Sequence, residues 1–209
     1  MVFGSEFNSR RLHHNKNAGA LTPGKTQRHV MSTTTHLMTA EELIKLQDDS
    51  HRHQLIKGEL LTMSPVGFTH GTVTMNLSVM LYNHVKPNNL GVLVGEVGFK
   101  LETNPDTVLA PDIAFIASDR IGARTPGYRL DPPDLAVEVM SQWDTKPEVD
   151  RKTALWLELG AKSVWNVNPK KRTVEVNLAN GEKRLFHETD ELVDDTVPGF
   201  RVKVSEIFA

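Results

Sequence analysis

The stretch covering residues 110–141, APDIAFIASDRIGARTPGYRLDPPDLAVEVMS, decides the fold. It contains two apolar runs, Ile113-Ala114-Phe115-Ile116-Ala117 and Leu135-Ala136-Val137-Glu138-Val139-Met140. Both are apolar at odd and even positions alike, the pattern of strands covered on both faces in the middle of a sheet. Each run also carries one acid: Asp112 follows Pro111 at the start of the first, and Glu138 interrupts the second. An ionised carboxylate inside a sheet is too costly to keep unless a cation, a basic side chain or backbone amides compensate it.

Taken singly, each acid has an ordinary explanation. Asp112 is a turn residue opening a strand, and Glu138 pairs with one basic side chain. Together on adjacent central strands they point instead to a small, hard, oxygen-rich site suited to Mg2+ or Mn2+. Lys152 strengthens that reading. The segment 147–160 starts with proline and ends with glycine, the punctuation of a helix, and its apolar stripe runs through Val149, Trp156 and Leu159. Lys152 falls on the same stripe. Either its ammonium snorkels out along an apolar stem, or it points at the buried acids, because a helix directly after the Glu138 strand must pack back on the sheet.

With 209 residues the chain fits one domain with a full-sized core. It contains no cysteine, which excludes disulfides, thiolate metal sites and a cysteine nucleophile. No apolar run approaches membrane-spanning length. The N-terminal region lacks the apolar segment of a signal peptide, so a cytoplasmic protein is expected. The formal net charge of -2 counts mildly against tight non-specific binding to duplex DNA.

Residues 1–30 show no apolar period and are expected to be a disordered tag or upstream extension, with Gly4-Ser5-Glu6-Phe7 resembling a translated linker and Met31 a natural start. Residues 31–209 are expected to form a single domain. Thr39, with Glu42 three residues on, opens a short helix through a capping box. Residues 54–63 read as one strand bent at Gly58. A helix is expected over 69–84, with Val73, Leu77, Met80 and Leu81 inward and His70 at its positive end. A histidine there is ordinarily a packed, hydrogen-bonded residue. Residues 92–102 read as a strand that forms a hairpin with 110–117 across the turn Asn104-Pro105-Asp106, and Glu96 within it reads as a surface acid. The polar connection 118–133 is placed to border a substrate groove. Strands over 163–167 and 173–178 follow, then the turn Asn180-Gly181, and an apolar tail that docks on the body.

Several short signatures then occur in a telling order: Gly58-Glu59-Leu60, Ser64-Pro65, His70, Ala110-Pro111-Asp112-Ile113-Ala114, Pro133-Asp134-Leu135-Ala136-Val137-Glu138-Val139, Lys152, Trp165-Asn166-Val167-Asn168-Pro169 and Pro198-Gly199-Phe200. The ordered set resembles the putative restriction endonuclease family, which is similar to the PD-(D/E)XK nuclease superfamily, from about residue 38 to the end. The resemblance implies an α/β (mixed α+β) restriction-endonuclease-like fold, a central mixed β-sheet flanked by helices, and magnesium-dependent hydrolysis of DNA phosphodiesters. It makes Asp112 the central metal ligand, Glu138 the first acid of the (D/E)XK pair, Glu59 an earlier acid completing the metal shell, and His70 a histidine beside the site. One departure matters: the lysine expected two residues after Glu138 is Met140, and Lys152 is the replacement. Gln142-Trp143 stands where the family usually has Pro-Ser, and Asn168 where it often has Asp.

The expected function is therefore a metal-dependent endonuclease with DNA as its partner. Asp112, Glu138 and Glu59 bind Mg2+ (or Mn2+), Lys152 positions the attacking water, and His70 assists proton transfer. A homodimer is consistent with cutting both strands, although no interface can be read. The rival is a catalytically silent DNA-binding or interaction module that keeps the fold, favoured by Met140 and the slightly acidic balance.

Overall fold

The computed structural model describes residues 36–46, 51–123 and 126–209. The extension expected over 1–30 lies outside the described residues. The first element, α1 (Ala40–Lys45), begins at the capping box: Thr39 Oγ1 accepts from the Glu42 amide and Glu42 accepts from the Thr39 amide. No helix among the described residues is long and apolar enough to cross a membrane.

The segment expected as one bent strand is a hairpin, β1 (Arg52–Ile56) and β2 (Glu59–Met63), with Ile56 opposite Glu59 and Arg52 opposite Met63. Its two-residue turn, Lys57 at φ 51° and Gly58 at φ 80°, takes the left-handed conformation at both centres. That turn geometry matches the right-handed twist of paired strands. Apolar residues flank the turn closely on both sides, Leu55-Ile56 and Leu60-Leu61, and only Gly58 marks the break in the sequence.

A second division proves decisive for the site. The expected strand over 92–102 is two strands in two sheets: β3 (Gly91–Val94) and β4 (Phe99–Glu102). The partner segment divides in the same way, into β5 (Thr107–Leu109) and β6 (Ile113–Ala117). β4 pairs with β5, and β3 pairs with β6. The chain changes sheets at residues 95–98 and returns at residues 110–112. Glu96 at φ 53° makes the outward corner, and its amide donates to Pro111 O at 3.2 Å to clamp it against the returning strand. A Cβ on Gly98 would lie 2.4 Å from the Tyr128 ring, so the corner also depends on a close approach that glycine alone permits.

Two principal sheets result. The smaller has the order β2-β1-β5-β4. The larger has the order β10-β9-β8-β7-β6-β3, where β7 is Leu135–Val139, β8 Ser163–Asn168, β9 Thr173–Leu178 and β10 Lys183–Phe186. Only the β7–β8 pair in it is parallel. That pair is joined through α3 (Lys146–Glu158), in the manner of a crossover. A short pair, β11 (Glu191–Val193) with β12 (Arg201–Lys203), and the terminal α4 (Val204–Ile207) complete the unit, with Val204 and Ile207 fully buried.

The strand alternation sorts side chains to two cores. One face packs Ile113, Phe115, Val137, Val139 and Trp165 against Val73, Leu77 and Leu81 of α2 (Phe68–Val85). The other packs Ala114, Ala136 and Val164 against Trp156 of α3. Burying each large apolar side chain contributes about 1.5–3 kcal/mol, so both layers are firmly held. Glu138 alternates with Val137 and Val139 and so faces α3, two residues beyond Ala136.

Candidate active site

Asp112 stands at the returning corner, immediately before β6. The β6–β7 register pairs Ile113 with Val137 and Ala114 with Ala136, and one step further along places Asp112 opposite Glu138. Directly opposed residues of an antiparallel pair share a face, so the strand geometry itself turns both acids into one site. Asp112 is only 9% exposed. Its Oδ2 accepts from the Val139 amide at 2.8 Å, with His70 Nε2 at 3.3 Å. Its Oδ1 has Arg52 Nη1 at 3.6 Å, beyond a good hydrogen bond.

Glu138 is gripped by one face of α3. Lys152 Nζ donates to Oε2 at 2.8 Å and Trp156 Nε1 donates to Oε1 at 2.8 Å. The two donors are four residues apart and therefore neighbours on the helix surface. The helix is held in place by its own capping box, Thr145 with Glu148, and by Thr153, whose hydroxyl accepts from Asn166 Nδ2 at 2.9 Å. Asn166 sits opposite Glu138 on β8.

The environments push the two acids apart. Burial opposes the charge on Asp112, but the hydrogen bond and charge of His70, the Val139 amide and the charge of Lys152 together hold its carboxyl below the usual range. Burial is also the largest influence on Glu138, and it prevails there: with the negative charge of Asp112 beside it, the Glu138 carboxyl is raised despite Lys152 and Trp156. Like charges sharing a site separate in this way. The pair is thus arranged to carry one firmly ionised acid and one that is reluctant to ionise unless further positive charge arrives.

The structure brings together Asp112, Glu138, Lys152 and His70. His70 reaches the site from the first turn of α2, buried on the same stripe as Val73 and Leu77. Glu59 is not in this group. It is exposed at the first position of β2, opposite Ile56. Arg52, which does reach Asp112, stands at the other end of the hairpin, about 13 Å away at the usual strand rise. The same two-residue turn that divides the expected strand carries Glu59 away. Among the described residues no group of three or more His, Asp or Glu side chains is arranged to hold a metal.

Two participants escaped the sequence reading. Trp156 looked like an ordinary core aromatic, yet its spacing of four from Lys152 was the available signal. Arg52 closes the polar run 48–52 that follows the first helix, which carried no signal of a role at the site. Glu96, read as a surface acid, pairs with it at 2.5 Å.

A mixed sheet with opposed acids at a strand corner and an amine from the flanking helix defines a restriction-endonuclease-like protein. The family described as "Uma2: Putative restriction endonuclease" matches residues 40–205, and the chain belongs to that family. Among solved structures it is similar to a protein from Anabaena variabilis ATCC 29413 described as "a putative nuclease belonging to DUF820", with TM-score 0.71 and 20% identity, covering 82% of this chain and 97% of that one. At that identity the likeness establishes the shared fold. No curated protein matches the chain.

Proposed function

We propose that the protein is a metal-dependent endonuclease that hydrolyses DNA phosphodiester bonds. The observation that carries this reading is the meeting of Asp112, Glu138 and Lys152 at one corner, with Lys152 2.8 Å from Glu138. The donor set suits Mg2+ or Mn2+. Both acids offer hard oxygen, and Mg2+ is commonly held by one or two carboxylates, with water and substrate phosphate filling its other positions. When bound there, the cation supplies a water of lowered pKa and compensation of phosphate charge.

The protein's own residues supply the rest. Asp112 is held ionised and oriented by the Val139 amide and His70. Trp156 fixes the direction of the Glu138 carboxyl. Lys152 positions the attacking water and stabilises the negative charge that develops on the phosphate. His70 lies close enough to assist proton movement at Asp112, from the buried end of α2.

The test is cleavage of plasmid and single-stranded DNA in Mg2+, in Mn2+ and in chelator. Metal-dependent cleavage that disappears in Asp112→Ala is the expected result, and equal cleavage by that variant assigns the activity to a contaminant or another site. A second reading, a catalytically silent DNA-binding or interaction module, is favoured by Met140 at the position where the superfamily carries lysine. It predicts DNA binding without cleavage under every metal condition. Cutting both strands takes two sites, which a homodimer would provide, and sedimentation of the purified chain measures that directly.

A further inference from the structure

Beside Asp112, between the hairpin and the corner, lies a cavity of about 190 Å³ whose walls include His51, Arg52, His53, Gln54, Glu96 and Tyr128. Arg52 joins this cavity to the acids. Its Nη1 lies 2.5 Å from Glu96 Oε1 and 3.6 Å from Asp112 Oδ1. The geometry points to a subsite in which Arg52 binds a phosphodiester of a nucleic-acid strand, flanking the one at Asp112 and Glu138, while Glu96 occupies the guanidinium until substrate displaces it.

Three observations support the assignment. A guanidinium presents a planar fork that suits phosphate oxygens, and arginine is favoured wherever that recognition is needed. The Glu96 side chain is 58% exposed and its backbone adopts φ 53°, a conformation uncommon for a residue other than glycine. An exposed carboxylate held on a strained corner is easily displaced, and such strain concentrates at ligand sites. The cavity is smaller than the usual 300–1,000 Å³ of drug-sized pockets, so it suits one sugar-phosphate unit of a strand rather than a whole duplex. Charge points the same way: with a net charge of -2, the chain needs a cation at the site itself to hold a polyanion.

This subsite rests on the nuclease reading for its neighbour, but the experiment reads binding rather than cleavage. A short labelled single-stranded oligonucleotide is titrated with the full chain in chelator, by anisotropy, over a series of salt concentrations. For single strands, each neutralised phosphate contributes about -0.7 to the slope of log affinity against log salt. Arg52→Gln is expected to weaken binding about tenfold and to remove about one such unit of slope. Glu96→Gln is expected to tighten binding severalfold, and that gain must vanish in the Arg52→Gln background, a coupling that impaired folding would not imitate. Arg52→Lys keeps the charge and should keep most of the slope.

An unchanged slope in Arg52→Gln, a Glu96→Gln gain that survives without Arg52, or no oligonucleotide binding by the wild-type chain would each overturn the subsite. So would displacement of the oligonucleotide by inorganic phosphate at equal concentration, since that marks a free-anion site. Arg52-dependent binding without metal-dependent cleavage leaves the subsite standing and rejects the nuclease, whereas cleavage with Arg52-independent binding does the reverse.

Discussion

Lys152 and Glu138 are joined across the helix–sheet interface, Nζ to Oε2 at 2.8 Å. In the proposed nuclease mechanism, the lysine absent at Met140, just past the end of β7, is supplied from α3, fourteen residues after the acid instead of two. A catalytic amine is defined by where its nitrogen lies, and a helix packed on the acid's face can deliver it as well as the strand can. The half-buried stem of Lys152 runs along the apolar interface beside Trp156, which limits how far the ammonium can wander.

Lys152→Met tests that relationship. It keeps the apolar stem and removes the charge. Breaking a buried ion pair from one side costs about 3–5 kcal/mol when the remaining charge stays ionised. Burial already raises the Glu138 carboxyl, and removing the Lys152 charge pushes it in the same direction, so the loss of stability should lie towards the low end of that range. If Lys152 positions the attacking water as proposed, cleavage should drop about 10²- to 10³-fold. Urea unfolding beside plasmid cleavage measures both, and near-normal cleavage would remove Lys152 from the mechanism.

Trp156→Phe separates the second grip on the same carboxyl. An aromatic ring remains to pack against Phe99, whose centroid lies 5.9 Å away. The indole N–H donor to Oε1 is lost, together with the volume of the indole's second ring, which leaves a small cavity at this fully buried position. An unsatisfied buried acceptor costs about 1–3 kcal/mol. Activity should fall less than in Lys152→Met, because the amine remains. A larger fall than in Lys152→Met would make the indole the dominant positioning group.

What could be read in the sequence was whatever interrupts a pattern. Asp112 and Glu138 break apolar runs, and Lys152 breaks a helical stripe, so the residues that meet at the corner were visible before folding. The mixed sheet flanked by helices was legible for a similar reason, since strands apolar on both faces need cover on both sides. The change of sheet was hidden, because the odd-position series Leu93, Val97, Phe99 and Leu101 runs on past residues 95–98 while the backbone turns, and the hairpin turn at Lys57-Gly58 was hidden because only two residues separate its strands. Hidden with them were the placement of Glu59 away from the acids and the arrival of Arg52. Both depend on which end of a hairpin faces the corner, and that is a tertiary outcome.

Acid titration should expose Asp112. Its carboxyl is held below the usual aspartate range in the folded state, by His70 and the Val139 amide against the pull of burial. A depressed folded value contributes stability that is fully present above the unfolded value and is lost as pH falls through the folded one. The stability difference between wild type and Asp112→Asn should therefore hold steady above about pH 5 and shrink as pH falls below about 4. Glu138 runs in the opposite sense, since its raised folded value makes its ionisation a burden that grows with rising pH. Chemical unfolding of both chains at several pH values checks this. A difference that widens on acidification would mean that Asp112 is not stabilised as an anion.

The paired edge of β3 and the open loops should respond differently to one added methyl group. At Gly91 a Cβ would lie 2.1 Å from the backbone oxygen of Ile116 and 2.8 Å from the Phe115 ring. The oxygen belongs to the strand that pairs with β3, so neither partner can yield without opening the sheet edge at the end of β3 away from the site. At Gly122 the φ is 61° and nothing lies within 4 Å, so only the left-handed backbone is penalised. Gly122→Ala should cost about 1–2 kcal/mol, and Gly91→Ala should cost more, about 3 kcal/mol once overpacking in the sheet is added. Thermal unfolding ranks the two variants, and equal losses at both positions would show that β3 is not held against β6 as closely as described.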